Sequence, residues 1–456
     1  RSMSLVNTPP MDTSLRYEVG DSDVACRTYF DFSKEKGWLC AIEQCNGSGD
    51  CRKSYAFGGT MCPSFRATRE ESHTTRARAN TLRELITHPR TKKIYDQREI
   101  LEVLDTCVSC KACKSECPSN VDIARFKAEF LQQHYDVCGV PMKAFLIARL
   151  TEIQRLGTIL PWFYNAIVRN RMTGNMLKRI LHFAPKRTIP TLYKTTLKHW
   201  LGRYRRKNRG ETVGKVFLFA DEFTNYMDVE IGIKMIELLD WLGYEVIIPK
   251  HVESGRTAIS KGMLEVAKGV ARKNVLLLKD LVTENIPLVG IEPSCILSFR
   301  DEYPDLVGED LKEEAVRLGK NCLLYDEFFT REIRAGRIQA EQFTDQPLKI
   351  MLHGHCHQKS LASVEPSREM LSLPVNYSVE VIPSGCCGMA GAFGYEKKHY
   401  ELSMKIGEQV LFPAVRGAGE NVCISAPGTS CRQQIKDGTG KQALHPIEVL
   451  YEALKC

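Results

Sequence analysis

Cys107-Val-Ser-Cys110-Lys-Ala-Cys113-Lys-Ser-Glu-Cys117-Pro118 is the stretch from which the rest of this chain can be read. Its spacing, C-x2-C-x2-C-x3-C-P, puts three thiolates on one tight loop, at three corners of an iron–sulfur cube. The fourth cysteine, turned away by the proline, reaches a second cluster. A lone C-x-x-C also occurs in zinc ribbons and redox loops. Four cysteines at these gaps, closed by proline, favour iron and sulfide over zinc or scattered buried thiols.

A partner run lies upstream. Cys45-Asn-Gly-Ser-Gly-Asp-Cys51 is followed, eleven residues on, by Cys62-Pro63. Exchange of the last cysteine between the two runs assigns Cys62, Cys107, Cys110 and Cys113 to one [4Fe–4S] cluster. Cys45, Cys51 and Cys117 fall to the other. Ser48 stands where the four-cysteine run would place a middle thiol. Three thiolates suit a [3Fe–4S] centre, or a [4Fe–4S] centre with a fourth ligand from Cys40, Ser48 or water, and the nuclearity stays open. Between the motifs, Ala67 to Ile86 reads as a helix carrying Arg69, Arg76, Arg78 and Arg83, with Arg66 just before it. Such charges either offset the negative field of the clusters or face solvent. Asp122 to Tyr135 reads as a second amphipathic helix. Two helices around two cluster loops predict an all-α, two-cluster ferredoxin domain over residues 37–140, behind a linker or arm at 1–36.

The bulk composition agrees with a cluster protein. The 456 residues are 43% hydrophobic and 26% charged, enough for several domains with their own cores. Eighteen cysteines would fit a disulfide scaffold only in a short secreted chain. No signal peptide is read at the start, and no apolar run approaches the roughly 18 residues of a membrane span. Metal-ligating thiols in a reducing cytoplasm are therefore expected. The opening Arg1-Ser2-Met3 leads to the further expectation that the sequence is a piece of a longer protein. Residues 141–211 form a basic helical connector. From Lys143 to Arg209, sixteen Lys or Arg face a single acid, Glu152, with Phe145, Leu146, Leu150, Leu156, Ile159, Leu160, Trp162, Phe163 and Ile167 interleaved. This pattern fits a connector clamped on an acidic partner or a surface for anionic lipid. No nucleic-acid fold signature accompanies it, so nucleic acid is not expected as a partner.

Beyond Gly210 strands and helices alternate, which argues for mostly parallel sheets covered by helices. Strands are predicted at Val216–Ala220, Glu245–Pro249, Asn274–Leu278 and Leu288–Ile291, then at Ile350–Leu352, Val379–Ile382 and Val422–Ser425. Helices are predicted at Val229–Leu242, Lys261–Arg272, Tyr395–Leu411 and Pro446–Leu454. The halves 212–345 and 346–456 read as two copies of one unit. Glu245-Val-Ile-Ile-Pro lies beside Glu380-Val-Ile-Pro, Gly290-Ile-Glu-Pro-Ser-Cys295 beside Ser425-Ala-Pro-Gly-Thr-Ser-Cys431, and Ala220-Asp221-Glu222 beside His355-Cys356-His357. Loops at the carboxyl ends of parallel strands gather where ligands bind. Cys356, Cys386, Cys387 and Cys431 should converge there, flanked by His353, His355 and His357 as ligands, proton relays or structural groups. The first copy keeps Asp221, Glu253, Ser254 and one thiol, Cys295, which would complete the set across a pseudo-twofold. The first copy is expected to be structural, as are Cys26, Cys138, Cys322, Cys423 and Cys456.

Cys356…Cys386-Cys387-Gly388…Cys431 resembles the cysteine-rich CCG domain of heterodisulfide reductase subunits and of the iron–sulfur subunits of glycolate oxidase and anaerobic glycerol-3-phosphate dehydrogenase. The whole chain is similar to the C-terminal half of fused FAD-linked oxidase/iron–sulfur proteins. The residues that carry this are Cys45-Asn46, Gly49, Cys51-Arg52, Met61-Cys62-Pro63-Ser64, Thr75-Arg76, Arg78-Ala79-Asn80-Thr81-Leu82-Arg83, the run from Cys107 to Pro118, and Ser384 to Gly388. Asn7-Thr-Pro-Pro-Met-Asp12 resembles the segment ending the flavin domain in such fusions. The resemblance implies an α + α/β fold, a ferredoxin domain followed by a duplicated CCG-type domain whose first copy (212–345) is degenerate. It also implies a D-2-hydroxy acid as donor substrate (D-lactate, glycolate or D-2-hydroxyglutarate) and FAD on a separate domain or subunit. A quinone or other carrier would be the acceptor, at the cytoplasmic face of a membrane. A further iron–sulfur cluster is implied at the CCG site. Two departures matter: the first copy lacks the double cysteine, and Gly428 stands where a C-x-x-C would put its first thiol.

With no general base, nucleophile or phosphate loop in view, no residue is expected to be catalytic on the substrate. The chain reads as an electron-transfer module. A heterodisulfide-reductase-like enzyme, using the CCG cluster for thiol chemistry, is the competing class.

Overall fold

A computed structural model describes residues 27–88, 93–207 and 210–455. Cys26, Cys456, Arg209 and the Asn7–Asp12 segment lie outside the described residues. Residues 27–36, read from the sequence as part of an arm, are instead seated against the cluster-binding segment. Phe30 and Phe32 are buried with Trp38, and the Arg125 guanidinium lies 4.1 Å over the Phe32 ring. Glu129, fully buried, accepts the backbone N–H groups of Tyr29 and Phe30 at 3.0 and 2.9 Å.

The segment that follows is helical, as its composition predicts, in shorter pieces than expected. The helix expected from Ala67 to Ile86 is broken. Pro63–Thr68 ends at Arg69, whose φ of 63° is left-handed, and Thr75–Thr87 starts afresh with Thr74 accepting from the Ala77 N–H. The second helix runs Ile123–Cys138, with the Asp122 carboxylate accepting from the Arg125 N–H. Short helices then cover the basic region at Met142–Ala148, Leu150–Gly157, Pro161–Arg169, Arg171–Ile180 and Leu197–Leu201.

Two parallel sheets complete the described residues. The first holds β1 (Gly214–Phe219), β2 (Tyr244–Ile247), β3 (Leu288–Gly290) and β4 (Cys322–Leu324), in the order β2-β1-β3-β4. The second holds β5 (Leu348–Leu352), β6 (Tyr377–Val381) and β7 (Val422–Ser425), in the order β6-β5-β7. Both place the opening strand between the next two. β4 has no counterpart among the predicted strands. The strand expected at Asn274–Leu278 is the end of the helix Leu264–Leu278. An apolar run alone does not separate strand from buried helix, and here Val275 and Leu278 are buried while Leu276 is 55% exposed, a helical period. The expected helix Tyr395–Leu411 divides into Tyr400–Glu408 and Leu411–Gly417.

The cores do not follow the motif boundaries. One cluster of buried side chains runs from Val216 and Leu218 in the first sheet to Ile350 and Leu352 in the second. Another joins Leu82, Ile100 and Phe126 to Ile259, Leu264, Cys356 and Ile406. The cluster-binding segment is also bolted to the sheets by buried charge. Lys111, 3% exposed, sits 2.7 Å from Asp301, 3.2 Å from Glu302 and 3.4 Å from Asp122. Burial disfavours its ammonium, but these three carboxylates outweigh that and hold it charged. Lys114 also bonds Asp301, and Arg256 reaches Glu302 at 2.5 Å. Removing one partner of a buried pair strands the other charge. Lys111→Ala should therefore cost on the order of 3 kcal/mol in urea unfolding of the holoprotein; a loss within experimental error would show the network to be idle.

Candidate metal centres

The first set of thiols is built by two loops with unusual backbone. Cys62 has a φ of 53° and is followed by Pro63 at the first position of its helix. Proline loses nothing there, because that N–H has no helical partner. In the facing loop, Ser109 and Lys111 have φ of 49° and 65°. These left-handed positions fold the loop back on itself, so Cys107, Cys110 and Cys113 face one space. That space is a small pocket whose lining includes Cys62, Cys107, Cys110 and Cys113, with Thr75 and Arg78. The Cys62 sulfur accepts the Thr75 N–H at 3.1 Å and lies 3.0 Å from Thr75 Oγ1. Burial pushes the Cys110 and Cys113 thiols up. Four thiols converging on one cavity fit an iron–sulfur cube, whose charge-delocalised core suits such a site.

The second set, Cys45, Cys51 and Cys117, lies beside it. Gly47 and Gly49, with φ of 77° and 82°, turn the Cys45–Cys51 loop back on itself, so Cys45 approaches both Cys51 and Cys117. Cys40, a candidate fourth ligand, is exposed on the helix Trp38–Glu43; Ser48 is exposed as well. A hydrogen bond with Cys62 lowers the Cys51 thiol to about 6, so the two sets touch at Cys51 and Cys62. Of the arginines singled out from sequence, Arg78 is buried and donates to Ser64 Oγ and Thr106 Oγ1, while Arg66 donates to the Gly59 carbonyl. Arg76 pairs with Glu71 and stands near Cys45 and Cys51. Glu116, inside the four-cysteine run, accepts the Thr60 and Met61 N–H groups at 2.7 and 3.0 Å and so locks the Cys62 loop to that run.

The third set occupies the carboxyl ends of β5, β6 and β7. Cys356, Cys386, Cys387 and Cys431 form one hydrogen-bonded series in that order. Bonds from Cys386 lower Cys356 to about 7, and bonds from Cys386 and Cys431 lower Cys387. The Lys359 ammonium donates to the Ser384 and Gly385 carbonyls beside them. His353 joins this set: its ligating atom, Cys387 Sγ and Cys431 Sγ lie within 4.8 Å of one another. Burial lowers His353 to about 4, keeping the imidazole neutral; its Nδ1 meets Ser384 Oγ at 2.6 Å and its ring also engages the Cys387 thiol. A neutral imidazole beside thiols is the donor set of a metal site. Two glycines are required here. A Cβ at Gly388, φ 93°, would meet Ser403 O at 2.4 Å, and one at Gly428 would meet the His355 ring at 2.5 Å. The space of the missing thiol at 428 is thus taken by His355.

Other expected members are placed elsewhere. Cys295 does not complete the third set; it groups with Asp221 and Glu222, ligand atoms within 4.8 Å, all buried. Glu222, rather than Glu253, fills that pocket, accepting from Ser254 N and Oγ. His355 caps its helix and lies 3.8 Å from Glu292. His357 reaches across: its Nε2 is 3.0 Å from the Ser109 carbonyl, and Ser360 Oγ donates to the Cys110 carbonyl at 3.1 Å. Cys110 and Cys356 are close enough to act electrostatically on each other. No spacing rule signals these contacts, which join residues 248 apart in the chain.

With this geometry established, similarity to known proteins is specific. Residues 44–122 match the 4Fe-4S dicluster domain family. Over 92% of the chain, 26% of residues are identical to D-2-hydroxyglutarate dehydrogenase of Escherichia coli (strain K12), of which the chain covers 44%. Identity is also 26% to one of the subunits of anaerobic glycerol-3-phosphate dehydrogenase from the same organism, over 74% of this chain and 83% of that one. It is 27% to lactate utilization protein A of Bacillus subtilis (strain 168), over 52% of this chain and 98% of that protein. The chain thus spans less than half the length of the D-2-hydroxyglutarate dehydrogenases it matches. Residues 44–122 thus match a 4Fe-4S dicluster domain, and the chain is similar to these three proteins over half or more of its length.

Proposed function

We propose that this chain relays electrons from the flavin of an FAD-linked oxidase domain or subunit, acting on a D-2-hydroxy acid, toward a quinone or other acceptor at the membrane periphery. The observation that supports this most is the succession of three thiol sets. Cys45, Cys51 and Cys117 meet Cys62, Cys107, Cys110 and Cys113 at Cys51 and Cys62, and the Ser360 hydroxyl links the Cys110 carbonyl of this set to the Cys356 carbonyl of the third. In this reading Cys62, Cys107, Cys110 and Cys113 hold one [4Fe–4S] cluster, Cys45, Cys51 and Cys117 a second, and the third set, with His353, a further centre. Bound clusters supply one-electron transfer at potentials tuned by charge, hydrogen bonds to sulfur and exposure.

The protein's own share is visible in its residues. Thr75 donates to the Cys62 sulfur, Arg78 and Lys111 bring positive charge to the inner set, and Lys359 does so at the third. The same strand order in the two sheets favours reading them as two copies of one unit, the second carrying the site. Among the three D-2-hydroxy acids, D-2-hydroxyglutarate draws support from relatives of that name that match 90% or more of this chain. A thiol–disulfide reductase would need its thiols open to a disulfide. Cys356 is only 8% exposed and Cys386, Cys387 and Cys431 less, which favours the relay.

Two outcomes check this. In anaerobically prepared protein, Cys110→Ser should remove about four iron atoms per chain with matching sulfide. Cys386→Ser or Cys387→Ser should also lower iron, and Glu253→Ala should not; unchanged iron in the cysteine variants, or zinc in place of iron, refutes the assignment. Combined with its flavin partner, Cys110→Ser should abolish dye reduction by D-2-hydroxyglutarate while stopped-flow still shows the flavin reduced by substrate. Undiminished dye reduction would sink the relay.

A further inference from the structure

The basic region presents an outward face that the relay does not use. On the helix Pro161–Arg169, Trp162 and Phe163 are 69% and 52% exposed, their rings 5.8 Å apart and edge-on to each other. Leu156, Ile159 and Leu160, just before, are exposed too. On the helix Arg171–Ile180, Met172, Met176 and Ile180 recur every fourth residue, one stripe of the helix, and all are at least 60% exposed. Scattered exposed apolar residues need no explanation, but so many on successive short helices do.

The charges on these helices are mostly positive, and their one acid, Glu152, pairs with Arg149. Elsewhere in the region several cations are engaged: Lys143 with Glu396, Arg187 with Asp437, Arg206 with Asp240 and Lys207 with Glu237. Arg155, Arg169, Arg171 and Arg179, on the helices that carry the apolar side chains, form no ion pair among the described residues. Among the described residues no helix is long and apolar enough to cross a membrane.

We propose that the helices Leu150–Gly157, Pro161–Arg169 and Arg171–Ile180 form an interfacial docking surface for an anionic phospholipid bilayer. The Trp162, Phe163, Met172, Met176 and Ile180 side chains enter the headgroup–acyl boundary, and Arg155, Arg169, Arg171 and Arg179 meet lipid phosphates. Amphipathic helices with aromatic residues on one side and arginines on the other bind bilayers in this way. Unpaired arginines around an apolar centre find their counter-charge in anionic headgroups. The purpose of this surface rests on the relay reading, since a lipid-soluble acceptor would then be reached at the bilayer, but the surface itself is argued from these helices alone.

Flotation of the purified holoprotein with phosphatidylglycerol/phosphatidylcholine vesicles tests it. Binding is expected to these vesicles and to weaken as salt rises, since exposed charge pairs are screened, with little binding to pure phosphatidylcholine. Trp162→Ser with Phe163→Ser, and separately Arg169→Ala with Arg171→Ala, should each weaken partitioning at least tenfold while iron content and dye reduction in detergent-free solution stay unchanged. These side chains are exposed, so both variants should fold. No binding by the parent protein, equal binding to neutral vesicles, or self-association abolished by the Trp162/Phe163 variant in place of lipid binding would overturn the proposal. Because electron delivery in solution is read separately, failure of the relay and failure of the docking surface are distinguishable.

Discussion

A single ammonium group, that of Lys111, has to stay charged inside this protein. It lies between two cysteines of the four-cysteine run, in a left-handed turn, and can be neutralised only by carboxylates brought from outside its own loop. Asp122 comes from the helix that follows, and Asp301 and Glu302 from the first α/β half. The loop that gathers Cys107, Cys110 and Cys113 is therefore held in place by residues nearly two hundred positions away, and Arg256 and Lys114 complete the neutralisation. Buried pairs of this kind add little net stability, because desolvation consumes most of the attraction. Their effect is on geometry: any other docking of the loop leaves charges stranded.

The second consequence is proximity of thiols. With the loop so held, Ser109 and Cys110 present their carbonyls to His357 and Ser360, and the third set comes to lie against the first. The thiols are crowded and mostly buried. Positive charge is distributed along the same line, from Arg76 through Arg78 and Lys111 to Lys359. The two sheets share one core with each other, and the cluster-binding segment shares another with the helices around Ile259, Leu264 and Ile406. The fold thus behaves as one frame around several centres.

The first α/β half, whose opening strand is also central, keeps one thiol in place of four. Its pocket holds Asp221, Glu222 and Cys295, and burial raises Asp221 to about 8 and Glu222 as well. Asp221 accepts from Thr224 N and Oγ1, and Glu222 from Ser254, so these acids are satisfied internally. They tie loops together where the second half gathers thiols.

Much of this was legible in the residues alone, for a local reason. Cys107, Cys110 and Cys113 lie within a single short loop, so the spacing from Cys107 to Pro118, with the Cys-Pro at 62, could be read without any tertiary information. The parallel strands were legible where apolar runs were short, and misread at Asn274–Leu278, where a run of leucines belongs to a helix with one buried stripe. The convergence of Cys356, Cys386, Cys387 and Cys431 followed from strand order, because loops at the same end of a parallel sheet meet. The tertiary structure alone decided that Cys295 joins Asp221 and Glu222, that His353 joins Cys387 and Cys431, and that the Ser360 hydroxyl bridges the Cys110 and Cys356 carbonyls. These contacts depend on how two independently formed surfaces dock, and docking is set by buried charge and shape summed over distant residues, which no local pattern records.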